Sequence, residues 1–140
     1  MAASVQFFTE DIEFKLTSPR KVSSWIKATI EAEGKTLSGL NFIFCSDEYL
    51  AQINIEYLNH DTYTDIITFD NSEDEDTIEG DIFISIDRIR ENATTFNKTE
   101  TDELHRVIIH GVLHLIGYLD KKPADKALMT SKEDEYLAKR

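Results

Sequence analysis

The stretch from Leu104 to Ile116 constrains the fold of this chain more than any other. Leu104, Val107, Ile108, Ile109, Val112, Leu113, Leu115 and Ile116 project in nearly every direction when placed about 100° apart on a helix. A helix that is apolar on all sides has to be surrounded by other elements. A central helix is therefore predicted from about Thr101 to Ile116, with Thr99 to Asp102 as its start signal. His110 and His114 interrupt the oily surface at a spacing of four, which puts them on one face with Cβ atoms about 5 to 6 Å apart. Gly117 permits a sharp exit from the helix, and Asp120 follows three residues later, where a turn can bring its carboxylate back to the histidines.

Two imidazoles in an apolar surface need a compensating partner. An isolated His-x-x-x-His leaves core hydrogen bonding and metal ligation equally open. The oily helix, the glycine turn and the carboxylate in register favour ligation. Two nitrogens and one oxygen from His110, His114 and Asp120 leave a fourth position for water, the layout of a catalytic zinc site rather than a structural one. Cys45 is the only cysteine, so an intramolecular disulfide and any multi-cysteine cage are excluded. His60 sits in a polar Asn-His-Asp context and His105 falls about 140° around the helix from His110, so both read as solvated or structural histidines.

A length of 140 residues suits one domain spanning residues 1–140. No apolar run approaches the roughly 20 residues of a membrane span. The N-terminal stretch has neither a basic start nor a sustained apolar segment with a cleavage site, which points to the cytoplasm. The formal net charge of −12 argues against non-specific coating of nucleic acid, which relies on Lys and Arg. Five of the seven residues from Asp70 to Asp76 are acidic, a self-repelling run expected in a solvated loop.

Strands are expected over Val5 to Phe8, Ile12 to Leu16, Leu40 to Cys45, Asp65 to Phe69 and Asp81 to Ile86, the last two as a possible hairpin around the acidic run. Helices are expected after Ser18-Pro19, where Val22, Trp25, Ile26, Thr29 and Ile30 recur at helical spacing before Gly34. Others are expected after Ser46, with Leu50, Ile53 and Tyr57 on one side, and through Ile89, Ala93 and Phe96. Pro19 and Pro123 both stand where a helix can begin. This mixture indicates an α/β or α+β domain.

His-x-x-x-His with a glycine and a further ligand is similar to the metzincin zinc motif, but those enzymes need a glutamate directly after the first histidine. That position is Gly111, so a metallopeptidase is not expected. "HGVLHLIGYLDK", His110 to Lys121, instead resembles the helix HGxLHLxGYDH of the YbeY family of bacterial ribosomal RNA maturation factors. "INIEYLNHDTYTDIITF" from Ile53 and "EGDIFIS" from Glu79 resemble two more of its segments, and Met129, Glu133 and Leu137 fit its C-terminal helix pattern.

The resemblance implies an α+β domain with a small mixed β-sheet and several helices, its metal site on a buried central helix. It also implies single-strand-directed endoribonuclease activity with one zinc ion in ribosomal RNA processing and ribosome quality control. His110 and His114 fall on the first two family ligands. Asp120 falls on the third, where most members have histidine; a carboxylate still ligates zinc but widens the choice of divalent metal. Leu58 replaces the family arginine proposed to meet phosphate, leaving Arg106, on the face of His110, as the substitute cation. Asp65 and Asp81, near strand ends, are candidates to orient water, a ligand histidine or RNA. The alternative is a non-catalytic, metal-stabilised assembly factor that docks on small-subunit ribosomal proteins or an assembly GTPase, which an acidic surface suits.

Overall fold

A computed structural model of the chain describes residues 4–58 and 64–140; His60 lies outside the described residues. The elements run β1 (Ser4–Glu10), α1 (Pro19–Ala32), β2 (Thr36–Cys45), α2 (Asp47–Leu58), β3 (Ile66–Asp70), β4 (Thr77–Ser85), α3 (Ile86–Thr95), α4 (Glu100–Ile116) and α5 (Pro123–Leu137). The sheet order is β1-β2-β4-β3. β1 pairs parallel to β2 and β2 parallel to β4, while β3 runs antiparallel to β4. The fold is thus α+β with a small mixed sheet, as the resemblance implies.

Local chemistry sets most boundaries. Pro19 and Pro123 open α1 and α5, where the missing N–H costs nothing. The hydroxyls of Ser46, Ser85 and Thr99 accept the backbone N–H of Tyr49, Arg88 and Asp102 at 3.1, 3.2 and 3.0 Å, capping α2, α3 and α4. The acidic run makes the β3–β4 connection. There the carboxylates of Asp70 and Asp74 accept the N–H of Ser72 and Asp76, both at 2.9 Å, as turn-forming aspartates do.

Three expectations change. Ile12 to Leu16 is not a strand; its residues Ile12, Phe14 and Leu16 pack on the core from an irregular segment. Asp11 adopts a left-handed φ of 56°, which turns the chain off β1, so alternate burial arises here without a pairing partner. β2 begins at Thr36 rather than Leu40 and β4 at Thr77 rather than Asp81, because the parallel ladder between them starts there and runs past an irregularity at Ser38, with β1 joining from Gly39.

The sheet has two unlike faces, as the two-residue period of its strands requires. Leu40, Phe42 and Phe44 of β2 and Ile78, Ile82 and Ile84 of β4 face the main core, which α1, α3, α4 and α5 complete. The reverse face carries the smaller cluster of Cys45, Leu50, Ile67, Phe69 and Phe83 beneath α2. Helix α4 lies on the main face and is buried except for its first turn and a partly open strip through Arg106, His110 and His114, with His105 and Ile116 also partly open. It comes close to the sheet at Gly111, where a Cβ would stand 2.8 Å from Ile66 Cδ1 and 3.2 Å from Ile82 Cγ2. At Gly80 on β4, a Cβ would stand 2.3 Å from the carbonyl oxygen of Phe69.

These approaches predict unequal costs. Gly80→Ala meets backbone that cannot move away and is expected to lower the unfolding free energy by about 3 kcal/mol, the upper end of overpacking costs. Gly111→Ala meets the end of an isoleucine side chain and gains helix propensity of about 1 kcal/mol, so its net loss is expected to be at most about 1 kcal/mol. Urea denaturation of the two variants checks the order.

Candidate metal centre

His110 and His114 project from the last two turns of α4, one turn apart, with ring centroids 4.8 Å apart and planes at 81°. Gly117, at φ 127°, ends the helix: its N–H donates to Leu113 O and His114 O, and the Tyr118 N–H donates to Leu113 O at 3.0 Å. Few residues other than glycine tolerate that backbone conformation. The reversal carries Asp120 back over the helix end. Its Oδ2 lies 3.2 Å from His110 Nε2 and 3.3 Å from His114 Nε2. One ligand atom from each residue falls within 4.8 Å of the other two, and all three side chains are half-buried. Two imidazole nitrogens and one carboxylate oxygen converging this closely fit a divalent metal ion with an open position.

Behind the ligands stands a layer of charge. His110 Nδ1 lies 2.7 Å from Glu133 Oε2 on α5. The other oxygen of Glu133 accepts from Arg106 Nη1 at 2.8 Å, and Arg106 Nη2 donates to Asp134 at 2.6 Å. Burial alone would lower the pKa of His110, but the hydrogen bond to Glu133 and the negative charges of Glu133, Asp120 and Asp65 outweigh it and raise the value. Asp65, just before β3, is shifted upward chiefly by burial, and the charges of His110, Arg88 and Asp120 all act on it. Glu103, two turns before His110 on α4, is buried and shifted upward by burial and by Asp65.

The structure therefore brings Asp65 into the electrostatic neighbourhood of the ligands and separates Asp81 from them. Asp81 alternates with the core-facing Gly80 and Ile82 on β4, so it points to the opposite face of the sheet from α4. There its carboxylate accepts from Asn41 at 3.0 Å and Asn71 at 3.4 Å. Arg106 shares the helix face of His110 as expected, and its guanidinium donates to Glu133 and Asp134. His105 packs on Trp25, with ring centroids 5.5 Å apart, and Arg140 Nη1 lies 2.9 Å from its Nδ1; it is a structural histidine.

A family profile described as Endoribonuclease YbeY matches residues 5–140. The chain belongs to the YbeY family. The protein named Endoribonuclease YbeY from Cytophaga hutchinsonii is 50% identical, over 98% of this chain and 96% of its own length. The one of the same name from Karelsulcia muelleri is 54% identical, over 91% and 89%. The solution structure of a Thermotoga maritima protein superposes with a TM-score of 0.65 at 26% identity, covering 95% of this chain and 86% of that one.

Sequence reasoning singles out the candidate ligands that converge here and misses the groups that hold them. Glu133 appears there only as a position in the C-terminal pattern; its signal is an acidic residue on the buried face of α5, where Met129 and Tyr136 are also buried. Glu33, at the end of α1, is the second omission. Its carboxylate accepts from Tyr118 at 2.5 Å, from the Tyr136 hydroxyl and from Lys132 at 3.4 Å. It thereby ties the turn that carries Asp120 to both α1 and α5.

Burial alone would raise the pKa of Glu33, but the two tyrosine hydrogen bonds and the charge of Lys132 bring it below the ordinary carboxylate value. A carboxylate with a depressed folded-state pKa stabilises the fold fully above its unfolded value, and that contribution disappears as pH falls through the folded value. Glu33→Gln is therefore expected to lower the melting temperature at neutral pH, with the gap from the parent narrowing in acid below the ordinary carboxylate pKa. Thermal denaturation across that range checks the sign.

Proposed function

We propose that residues 1–140 work as one metal-dependent hydrolase domain, an endoribonuclease that cuts single-stranded RNA in ribosomal RNA maturation and ribosome quality control. The observation that carries this reading is the convergence of His110, His114 and Asp120 within 4.8 Å at the partly open strip of α4, in a chain of the YbeY family. Zinc is the ion we assign, because two imidazoles and a carboxylate form a donor set it accepts. When bound there, it would lower the pKa of a coordinated water toward about 7 and polarise a phosphoryl oxygen.

The chain's own residues divide the remaining work. His110, His114 and Asp120 hold the ion and leave one side open to substrate. Asp65, held by burial above the ordinary carboxylate pKa, is the group we assign to orient the attacking hydroxyl or a leaving oxygen. The metallopeptidase alternative lacks its general base, because Gly111 follows His110 and even a Cβ there would press on Ile66. Docking to basic small-subunit ribosomal proteins or an assembly GTPase suits a chain of net charge −12 and would bring the nuclease to its RNA without a large basic patch of its own. No described helix is long and apolar enough to cross a membrane.

Cleavage of a single-stranded RNA by zinc-loaded protein is expected to fall at least about a hundredfold in His114→Ala, in line with the cost of losing major transition-state stabilisation. Equal rates in the two preparations would sink the enzymatic reading and leave the metal-stabilised assembly factor. Leu58, 41% exposed at the end of α2, stands where the family carries arginine. Leu58→Arg is expected to raise the single-turnover rate by up to about tenfold, since a guanidinium near phosphate stabilises charge that grows during displacement.

A further inference from the structure

We propose that Glu133 and Arg106 form a positioning pair that selects which nitrogen of His110 faces the metal, making the C-terminal helix α5 a working part of the centre. This rests on the metal reading above and assigns neither residue a contact with RNA.

His110 is held from both sides of its ring. Nε2 lies 3.2 Å from Asp120 Oδ2 and so faces the ligand cluster, while Nδ1 lies 2.7 Å from Glu133 Oε2. A carboxylate can accept a hydrogen bond and cannot donate one. With an ion held between Nε2 and Asp120, the neutral imidazole would donate its hydrogen from Nδ1 to Glu133 and present the Nε2 lone pair to the ion. The hydrogen bond also fixes the ring about its Cα–Cβ and Cβ–Cγ bonds, so the ligand does not have to be ordered when the metal arrives.

Glu133 is itself only 7% exposed, where a lone carboxylate is costly. Arg106 offsets that cost by donating to its second oxygen at 2.8 Å, so each oxygen of Glu133 has its own partner. Arg106 and His110 are one turn apart on α4, and Glu133 and Asp134 are neighbours on α5. The four residues thus form a ladder across the two helices, Asp134 to Arg106 to Glu133 to His110, with the last step ending on a ligand. Arg106 acts through Glu133, which explains why an arginine stands beside the centre.

The test uses the full chain and zinc alone. Zinc dissociation constants by chelator competition are compared for the parent, Glu133→Ala, Glu133→Gln, Arg106→Ala and the double variant Glu133→Ala/Arg106→Ala. The histidine tautomer is read in parallel from long-range proton–nitrogen correlation spectra of the zinc-loaded parent. Glu133→Ala is expected to weaken zinc binding by about 10- to 100-fold, the usual effect of losing a group that orients a metal-bound histidine. Glu133→Gln, which keeps an acceptor oxygen, is expected to recover most of that loss. Arg106→Ala should weaken binding less, and the double variant should be no weaker than Glu133→Ala, because the two residues lie on one line of action. The spectra should place the His110 hydrogen on Nδ1.

Unchanged zinc affinity in folded Glu133→Ala, additive losses in the double variant, or a hydrogen on Nε2 would each overturn the proposal. Should Glu133→Ala fail to fold, as far-UV circular dichroism would reveal, the parent spectra and Glu133→Gln decide it. A parent that binds zinc with the expected pattern but cuts no RNA would fail the nuclease reading alone. Intact cleavage with zinc affinity indifferent to Glu133 would fail this inference alone.

Discussion

The burial of α4 against the sheet is the constraint on which the rest of the molecule depends. Around Gly111 the helix lies against Ile66 and Ile82, and Ile108, Ile109, Val112 and Leu113 are fully buried. Each such side chain contributes about 1.5–3 kcal/mol on burial, set against the conformational entropy of ordering the chain around it. Once the sheet occupies one side of α4 and α1, α3 and α5 the others, Arg106, His110 and His114 are left along one partly open strip. The candidate metal centre lies on the strip that the packing leaves uncovered.

The same glycine connects fold to chemistry. The position after the first histidine is where a peptidase of similar ligand spacing would carry its general base, and here that position is pressed against the sheet. Helix packing and peptide hydrolysis by that route compete for one residue, and packing has taken it. The reversal at Gly117 has the complementary role. It returns Asp120 to the helix end, and Glu33 secures the turn through Tyr118 while reaching α5 through Tyr136 and Lys132.

Around His110 the chain gathers Asp120, Glu133 and Asp65, with Arg106 paired to Glu133. Such a cluster raises the pKa of His110 and is electrostatically suited to a divalent cation. The negative charge that favours a cation would by itself repel phosphate, so an ion bound there would reconcile an acidic protein with an anionic substrate. Asp120 adds to this balance: as a ligand it would contribute a charge where imidazole contributes none, making the candidate centre harder and more anionic.

The all-round apolar helix, the helix-opening prolines, the hydroxyl caps, the β3–β4 hairpin and the His110, His114 and Asp120 triad are all legible in the sequence. Each is a short-range pattern whose physics is complete within a few residues, and the triad's spacing of four plus a glycine turn is one of them. The segment Ile12 to Leu16 misleads because alternate burial looks the same whether or not a partner strand is present. The roles of Arg106, Glu133, Glu33 and Asp81 were decided only by tertiary structure. Arg106 and Glu133 are 27 residues apart, and Glu33 and Tyr136 are 103 apart, so no local pattern reports their pairing. Asp81 shows the same limit at its smallest scale. Its strand and its period are visible in the sequence, but which face of the sheet receives α4 is not, and that choice alone puts its carboxylate on the far side from the metal.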